Sequence, residues 1–238
     1  MGNVSLTRAV FVLLMLTACA PDDVLRPYES LATEHDKMEF KFADNPDPYE
    51  RTKLPGFSVS APRGENWIEG PRLPEPDPND HQVHARLHFV KVLPQISEFG
   101  PHTIFAKVDT VFLSDWDRRL AAPNAREFMR FRMKYVMASS KVSESPRQHI
   151  ISQAAELDQS IGYVCYKYDL VAEDREVKGF PNVVFVVDFH AYECIDPLFK
   201  MIVTLYYSQR VHSEAQRADI KREGENFLKS LKFTSPTS

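Results

Sequence analysis

The sequence predicts an α+β fold, and three observations predict it. Long runs with a two-residue apolar alternation fill much of the middle and the C-terminal half. Turn-forming residues separate them, Gly100-Pro101 and Asp196-Pro197 among them. Two segments, residues 124–140 and 213–231, carry instead the 3.6-residue period of amphipathic helices.

The chain opens on a different kind of element. Its first eighteen residues hold one basic residue, Arg8, no acid, and an apolar run over 9–16 closed by Thr17 and Ala18. That is the layout of a secretory signal, too short for a membrane span of about 20 residues. At its end, Leu16-Thr17-Ala18-Cys19 resembles the bacterial lipobox. The resemblance implies cleavage before Cys19, a diacylglycerol on its thiol and a further acyl chain, such as palmitate, on its amine. Two or more chains anchor stably, at about 0.8 kcal/mol per buried methylene. Ala20 follows Cys19 where inner-membrane retention calls for Asp, so the same resemblance implies the outer membrane, with the protein facing the periplasm.

Residues 19–54 are rich in proline and poor in apolar period, and read as a tether with a short helix over 30–37 and a strand at MEFKF. The folded domain is expected over 55–233, followed by a tail at 234–238. It starts at GFSVSAP, where Phe57, Val59 and Ala61 alternate with serines. Pro62 ends this strand, Trp67 follows a turn, and GPRLPEPDPND makes a loop too proline-dense for a central strand. Two β runs come next, ARLHFVKVL (85–93) and TIFAKVDTVFL (103–113).

Pro123 then precedes an amphipathic helix over 124–140. Phe128, Met129, Phe131, Tyr135 and Val136 are assigned to its buried face, with Glu127, Arg130 and Lys134 opposite. Three strands follow: IGYVCYKYDLVAE, NVVFVVDFHAYECI and LFKMIVTLYYSQ. In the second, Phe185, Val187, Phe189 and Ala191 share one face, and Asp188, His190 and Cys194 the other, polar face. A last helix opens on Ser213 and Gln216, a capping-box pattern, and presents Ile220, Gly224, Phe227, Leu228 and Leu231 to a sheet.

The series Phe57-Ser-Val-Ser-Ala-Pro62, Trp67, meander strands and a final Asn226-Phe-Leu-Lys-Ser-Leu-Lys-Phe233 resembles the PsbP-like superfamily, over about residues 56–233. The resemblance implies an antiparallel sheet with helices packed on its faces. It also implies a non-enzymatic binding or assembly role, and it brings no catalytic residues.

Composition excludes some classes. After cleavage at Cys19 the chain keeps 28 Lys and Arg against 33 Asp and Glu, a net of −5, which gives nucleic acid no basic footprint. Gly56-Phe-Ser58-Val-Ser60 lacks the last glycine of a hydrolase elbow and opens a strand. His81, His84 and His88 have a metal-like spacing, yet alternation separates His81 from the others and no cysteine completes a set, so no metal or other cofactor is expected. Asp188 and His190 share a face and offer half of a charge relay without a nucleophile. Arg132, placed within the apolar stripe of the first helix, needs either a partner in a ligand groove or an escape to the edge.

With Cys19 lipidated, two thiols remain, Cys165 and Cys194. They fall in consecutive strands, nearly opposite one another about the DREVKGFPN turn, and in an oxidising compartment a disulfide between them is expected. The sequence thus reads as a non-catalytic envelope lipoprotein, bound to the membrane through Cys19 and to an unnamed envelope protein or small ligand. The alternative is an envelope hydrolase built around Asp188 and His190.

Overall fold

The structure, a computed structural model, describes residues 43–44, 51–70, 75–91, 103–142, 148–175, 182–212 and 220–234. Cys19, the 30–37 and MEFKF segments, the Gly100-Pro101 turn and the Ser213–Gln216 cap lie outside them.

Eight strands form one antiparallel sheet. They are β1 (Ala43–Asp44), β4 (Trp67–Glu69), β5 (Val83–Lys91), β6 (Thr103–Phe112), β7 (Gln148–Asp158), β8 (Cys165–Asp174), β9 (Phe185–Ile195) and β10 (Met201–Val211). Their order is β1-β4-β5-β6-β10-β9-β8-β7. A second sheet joins β11 (Lys232–Phe233), β3 (Phe57–Ser60) and β2 (Arg51–Leu54). The helices are α1 (Asp115–Ala121), α2 (Ala125–Val142) and α3 (Ile220–Leu228). The α+β class with an antiparallel sheet and helices on its faces is therefore the architecture of this chain.

The large sheet has a core on each side. On one, Leu87, Phe89, Val203, Leu205 and Tyr207 meet Phe57 and Val59 of the small sheet and Ile220, Phe227 and Leu228 of α3. On the other, Tyr166, Leu170, Phe189 and Ile202 meet Ala121 of α1 and Phe128, Met129 and Val136 of α2. β10 lies between β6 and β9 with layers over both faces, so all eleven of its residues are buried. Side-chain alternation makes each strand supply both cores.

Four expectations are corrected. The folded region reaches back into the segment read as tether: β1 pairs with β4, and β2 pairs with β3 through the Pro55-Gly56 turn, where Gly56 takes φ 85°. β2 reads RTKL and looks like linker because its stabilisation is polar. Arg51 donates to Ser58 Oγ, Ser60 Oγ and the carbonyls of Ser58 and Ser230.

The strand β7 and the helix α1 are additional to the predicted elements. α1 is capped by Ser114, whose Oγ accepts from Asp117 N. On α2 the buried arc is centred between Phe128 and Met133, and it leaves Phe131 and Tyr135 exposed. Finally, the face of β9 read as polar is so only in part: His190 is half-buried on it, whereas Cys194 is buried in the core beneath α3.

Candidate functional site

Strands β7, β8 and β9 turn the row Glu156, Lys167, Asp169, His190 and Tyr192 toward α3, and the space between them is a cleft of about 630 Å³. Arg222, Glu225 and Leu228 of α3, with Lys229 just after it, close its other side. Register puts these groups together: Glu156 is the partner of Lys167, and Asp169 of His190.

The polar groups of the cleft bind one another. His190 Nδ1 donates to Asp169 Oδ1 at 2.7 Å. Lys167 Nζ lies 2.6 Å from Glu156 Oε1 and 3.7 Å from Asp158 Oδ2. The Tyr192 hydroxyl donates to Asp158 Oδ2 at 2.8 Å, and Ser160 N donates to Asp158 Oδ1 at 2.6 Å. Partial burial opposes the charge of Asp158, but the bonds from Ser160 and Tyr192 and the charge of Lys167 outweigh it and hold the carboxyl below its ordinary value. Burial and then Asp158 push the Tyr192 phenol well up, which keeps it protonated at neutral pH. Lys167 is raised, first by its bond to Glu156.

Such a cleft can recognise a polar ligand by exchanging internal ion pairs for external ones. It is poorly arranged for nucleophilic catalysis. The hydroxyls of Ser160 and Tyr192 engage Asp158, whereas the histidine bonds Asp169, so base and nucleophile are not joined. Asp188, expected beside His190, is not in the cleft. It is buried nearer the end of the sheet, where Gln209 Nε2 donates to its Oδ2 at 2.8 Å. Two positions along the strand keep the two residues on one face, but α3 covers the face unevenly.

Arg132 also lies elsewhere. It does not line the cleft; it points into the opposite core, where its Nε donates to Glu193 Oε1 at 2.7 Å. Burial works against the guanidinium charge, but Glu193 overcomes it and raises the Arg132 pKa. Glu193 belongs to a straight buried row across four strands, Tyr166, Glu193, Thr204 and Asp109, each the register partner of the next. Lys107 Nζ meets Asp109 Oδ2 at 3.1 Å, while burial pushes the Asp109 carboxyl up from its ordinary value. Arg132 was legible as an anomaly. Its partner was legible too, since Glu193 continues the apolar series Val187, Phe189, Ala191 as its lone carboxylate.

Cys165 and Cys194 are register partners in β8 and β9, with Cα atoms 4.1 Å apart and a disulfide between them. His81 Nδ1 donates to the Phe112 carbonyl, His84 faces Asp80, and His88 is half-buried in β5 beside its register partner Lys107. Among the described residues no group of three or more His, Cys, Asp or Glu is placed to hold a metal ion.

Compared with protein-family models and with curated proteins, the chain finds no match. Among solved structures it is similar to the cyanobacterial PsbP (CyanoP) of Synechocystis sp. PCC 6803, with 14% identity and a TM-score of 0.43 over 78% of this chain and 92% of that one. It is similar to LpqN, involved in cell envelope biogenesis in Mycobacterium tuberculosis, with 12% identity and a TM-score of 0.42 over 78% and 91%. It is also similar to the Ran-binding protein Mog1p of Saccharomyces cerevisiae, with 13% identity and a TM-score of 0.39 over 77% and 94%.

Proposed function

We propose that this chain is an exported, lipid-anchored protein of the cell envelope whose α+β domain binds a protein or ligand without chemical turnover. The observation that carries the reading is the Leu-Thr-Ala-Cys sequence closing a signal-length apolar run at Cys19. The buried Cys165–Cys194 disulfide supports export, since such bonds persist in oxidising compartments and are rare in reducing ones. Ala20 at the next position favours the outer membrane, with the domain facing the periplasm. The mutual pairing of Asp169 with His190, and of Asp158 with both nearby hydroxyls, supports binding over catalysis in the cleft.

Two measurements test the proposal. Mass analysis of the membrane-extracted protein should find acyl chains on Cys19 as residue one, and Cys19→Ser should leave an unlipidated precursor. Recovery of wild-type protein as a soluble chain cleaved elsewhere would overturn the anchor. A photo-crosslinking residue at Lys229, on the rim of the cleft, should trap a specific partner in cells. A hydrolytic activity that His190→Gln abolishes would overturn the non-catalytic assignment.

A further inference from the structure

The hairpin of α1 and α2 leaves four large apolar side chains in solvent. They are Trp116 (61% exposed), Leu120 (50%), Phe131 (67%) and Tyr135 (38%). Spacing of four residues puts each pair on one stripe of its helix. α1 and α2 pack against each other, near enough for the charge of Asp117 on α1 to reach Arg132 on α2. Leu120 and Trp116 follow Asp117 around α1, and Tyr135 and Phe131 follow Arg132 around α2, so the two stripes border this pair of residues.

Charge is concentrated in this hairpin as well. Residues 115–142 hold seven Lys and Arg against three Asp and Glu, a net of +4 in a chain of net −4, so the remainder carries −8. Arg118 pairs with Asp115 and Arg130 with Glu127, each three residues away. Arg119, Arg126 and Lys134 are exposed and carry no ion pair among the described residues. Aromatic and leucine side chains bordered by cations match the boundary between headgroups and acyl chains, where aromatic rings settle and each cation gains from anionic lipid.

We propose that the α1–α2 hairpin docks on the surface of a bilayer containing anionic glycerophospholipid. Trp116, Leu120, Phe131 and Tyr135 enter the headgroup boundary, and Arg119, Arg126 and Lys134 meet lipid phosphates. No described helix is long and apolar enough to cross a membrane, so the contact is with the surface. The bilayer is in reach by chain length. The 24 steps from Cys19 to Ala43 extend at most about 85 Å, against a domain about 40 Å across. That proximity rests on the Cys19 anchor, whereas the affinity of the hairpin for lipid does not, and the two are tested separately.

The chain beginning at Ala20, unlipidated by design, is mixed with vesicles of phosphatidylcholine or of phosphatidylcholine with phosphatidylglycerol. Flotation should recover it with the phosphatidylglycerol vesicles in low salt and far less with pure phosphatidylcholine. Trp67 is buried and Trp116 is the second of two tryptophans, so a blue shift of emission on vesicle addition reports Trp116 entering the boundary. Neutralising Arg119, Arg126 and Lys134 to Gln together should weaken partitioning about a hundredfold at unchanged melting temperature. Absence of binding to phosphatidylglycerol vesicles, or binding with unshifted emission, overturns the proposal even if Cys19 is acylated. A concentration-dependent dimer that Phe131→Ser abolishes, with no vesicle binding, would assign the patch to a second copy and overturn it equally.

Discussion

Gly224 sits where α3 comes nearest to the sheet. A Cβ at this position would stand 2.5 Å from Cγ and under 3.0 Å from two more ring carbons of Tyr207. That ring cannot yield readily, because it is buried and packed edge-on against Trp67 at 5.7 Å and tilted against Phe227 at 6.5 Å. Alanine in place of glycine favours a helix by about 1 kcal/mol. Overpacking a filled core costs about 1–3 kcal/mol, and here the clash is with a rigid ring. Gly224→Ala is therefore expected to destabilise by about 1–2 kcal/mol, read as a lower urea midpoint at constant slope. An increase in stability would show that α3 can lift from Tyr207. His88 yields a second prediction. Burial, and then the charge of Lys107 beside it, lower its pKa from 6.5 to about 4. The unfolded chain then binds more protons than the folded one between pH 6.5 and 4. The contribution is fully present above pH 6.5 and is lost as pH falls toward 4, about 2–3 kcal/mol over the window. His88→Gln should flatten that part of the stability–pH curve, and an unchanged slope would mean that His88 titrates normally in the fold.

At the scale of the element, what could be read depended on whether the period survived. β8 alternates in burial, and β9 and β10 are long runs of β-forming residues buried almost throughout, so all three were visible. β7 does not, because a bulge between Ile150 and Ser152 shifts its phase. Ile150 faces the α2 core before the bulge, and Ala155 and Leu157 face it after, so even positions give way to odd ones. Its Gln, Ala, Glu and Leu content also favours helix over strand. For α2, three aromatic side chains drew the assigned face toward Phe131. The sheet is in fact met by Met129, Met133 and Met137, whose flexible chains fill it. The cleft was half legible: His190 was singled out, but its partner Asp169 comes from the neighbouring strand, and cross-strand register is not written in one segment. The β8–β9 pair also sets a prediction. Closing the loop from Cys165 to Cys194, 29 residues apart in sequence, stabilises by about 3.6 kcal/mol in the chain-entropy model. Reduction under mild denaturant should lower the unfolding midpoint accordingly. Thiol labelling should find neither cysteine reactive in the unreduced protein, native or unfolded, and both reactive once it is reduced and unfolded.

For the whole molecule, the decisive feature is a central sheet covered on both faces, which makes the small sheet a structural part of the domain. β3 carries Phe57 and Val59 into the α3 core and pairs with β11 on one side and with β2 on the other. The segment RTKL therefore closes an edge that would otherwise expose the backbone of β3. It also brings Arg51, whose guanidinium bonds Ser58 and Ser60 in β3 and the Ser230 carbonyl just after α3, so one side chain ties the N-terminal hairpin to the C-terminal helix. Leu54 packs against the same core. A chain starting at Pro55, the boundary that composition suggests, loses the strand, the arginine and the leucine together. At about 1 kcal/mol for each hydrogen bond to Arg51 that is not replaced by water, it should be less stable by about 3 kcal/mol than a chain starting at Ala43. The comparison is made by urea unfolding of the two unlipidated chains. Arg51→Ala in the longer chain should reproduce most of that loss, short only of what β2 backbone pairing and Leu54 contribute. Equal midpoints for the two starting points would show that the domain ends at β3 and that β2 belongs with the linker after all.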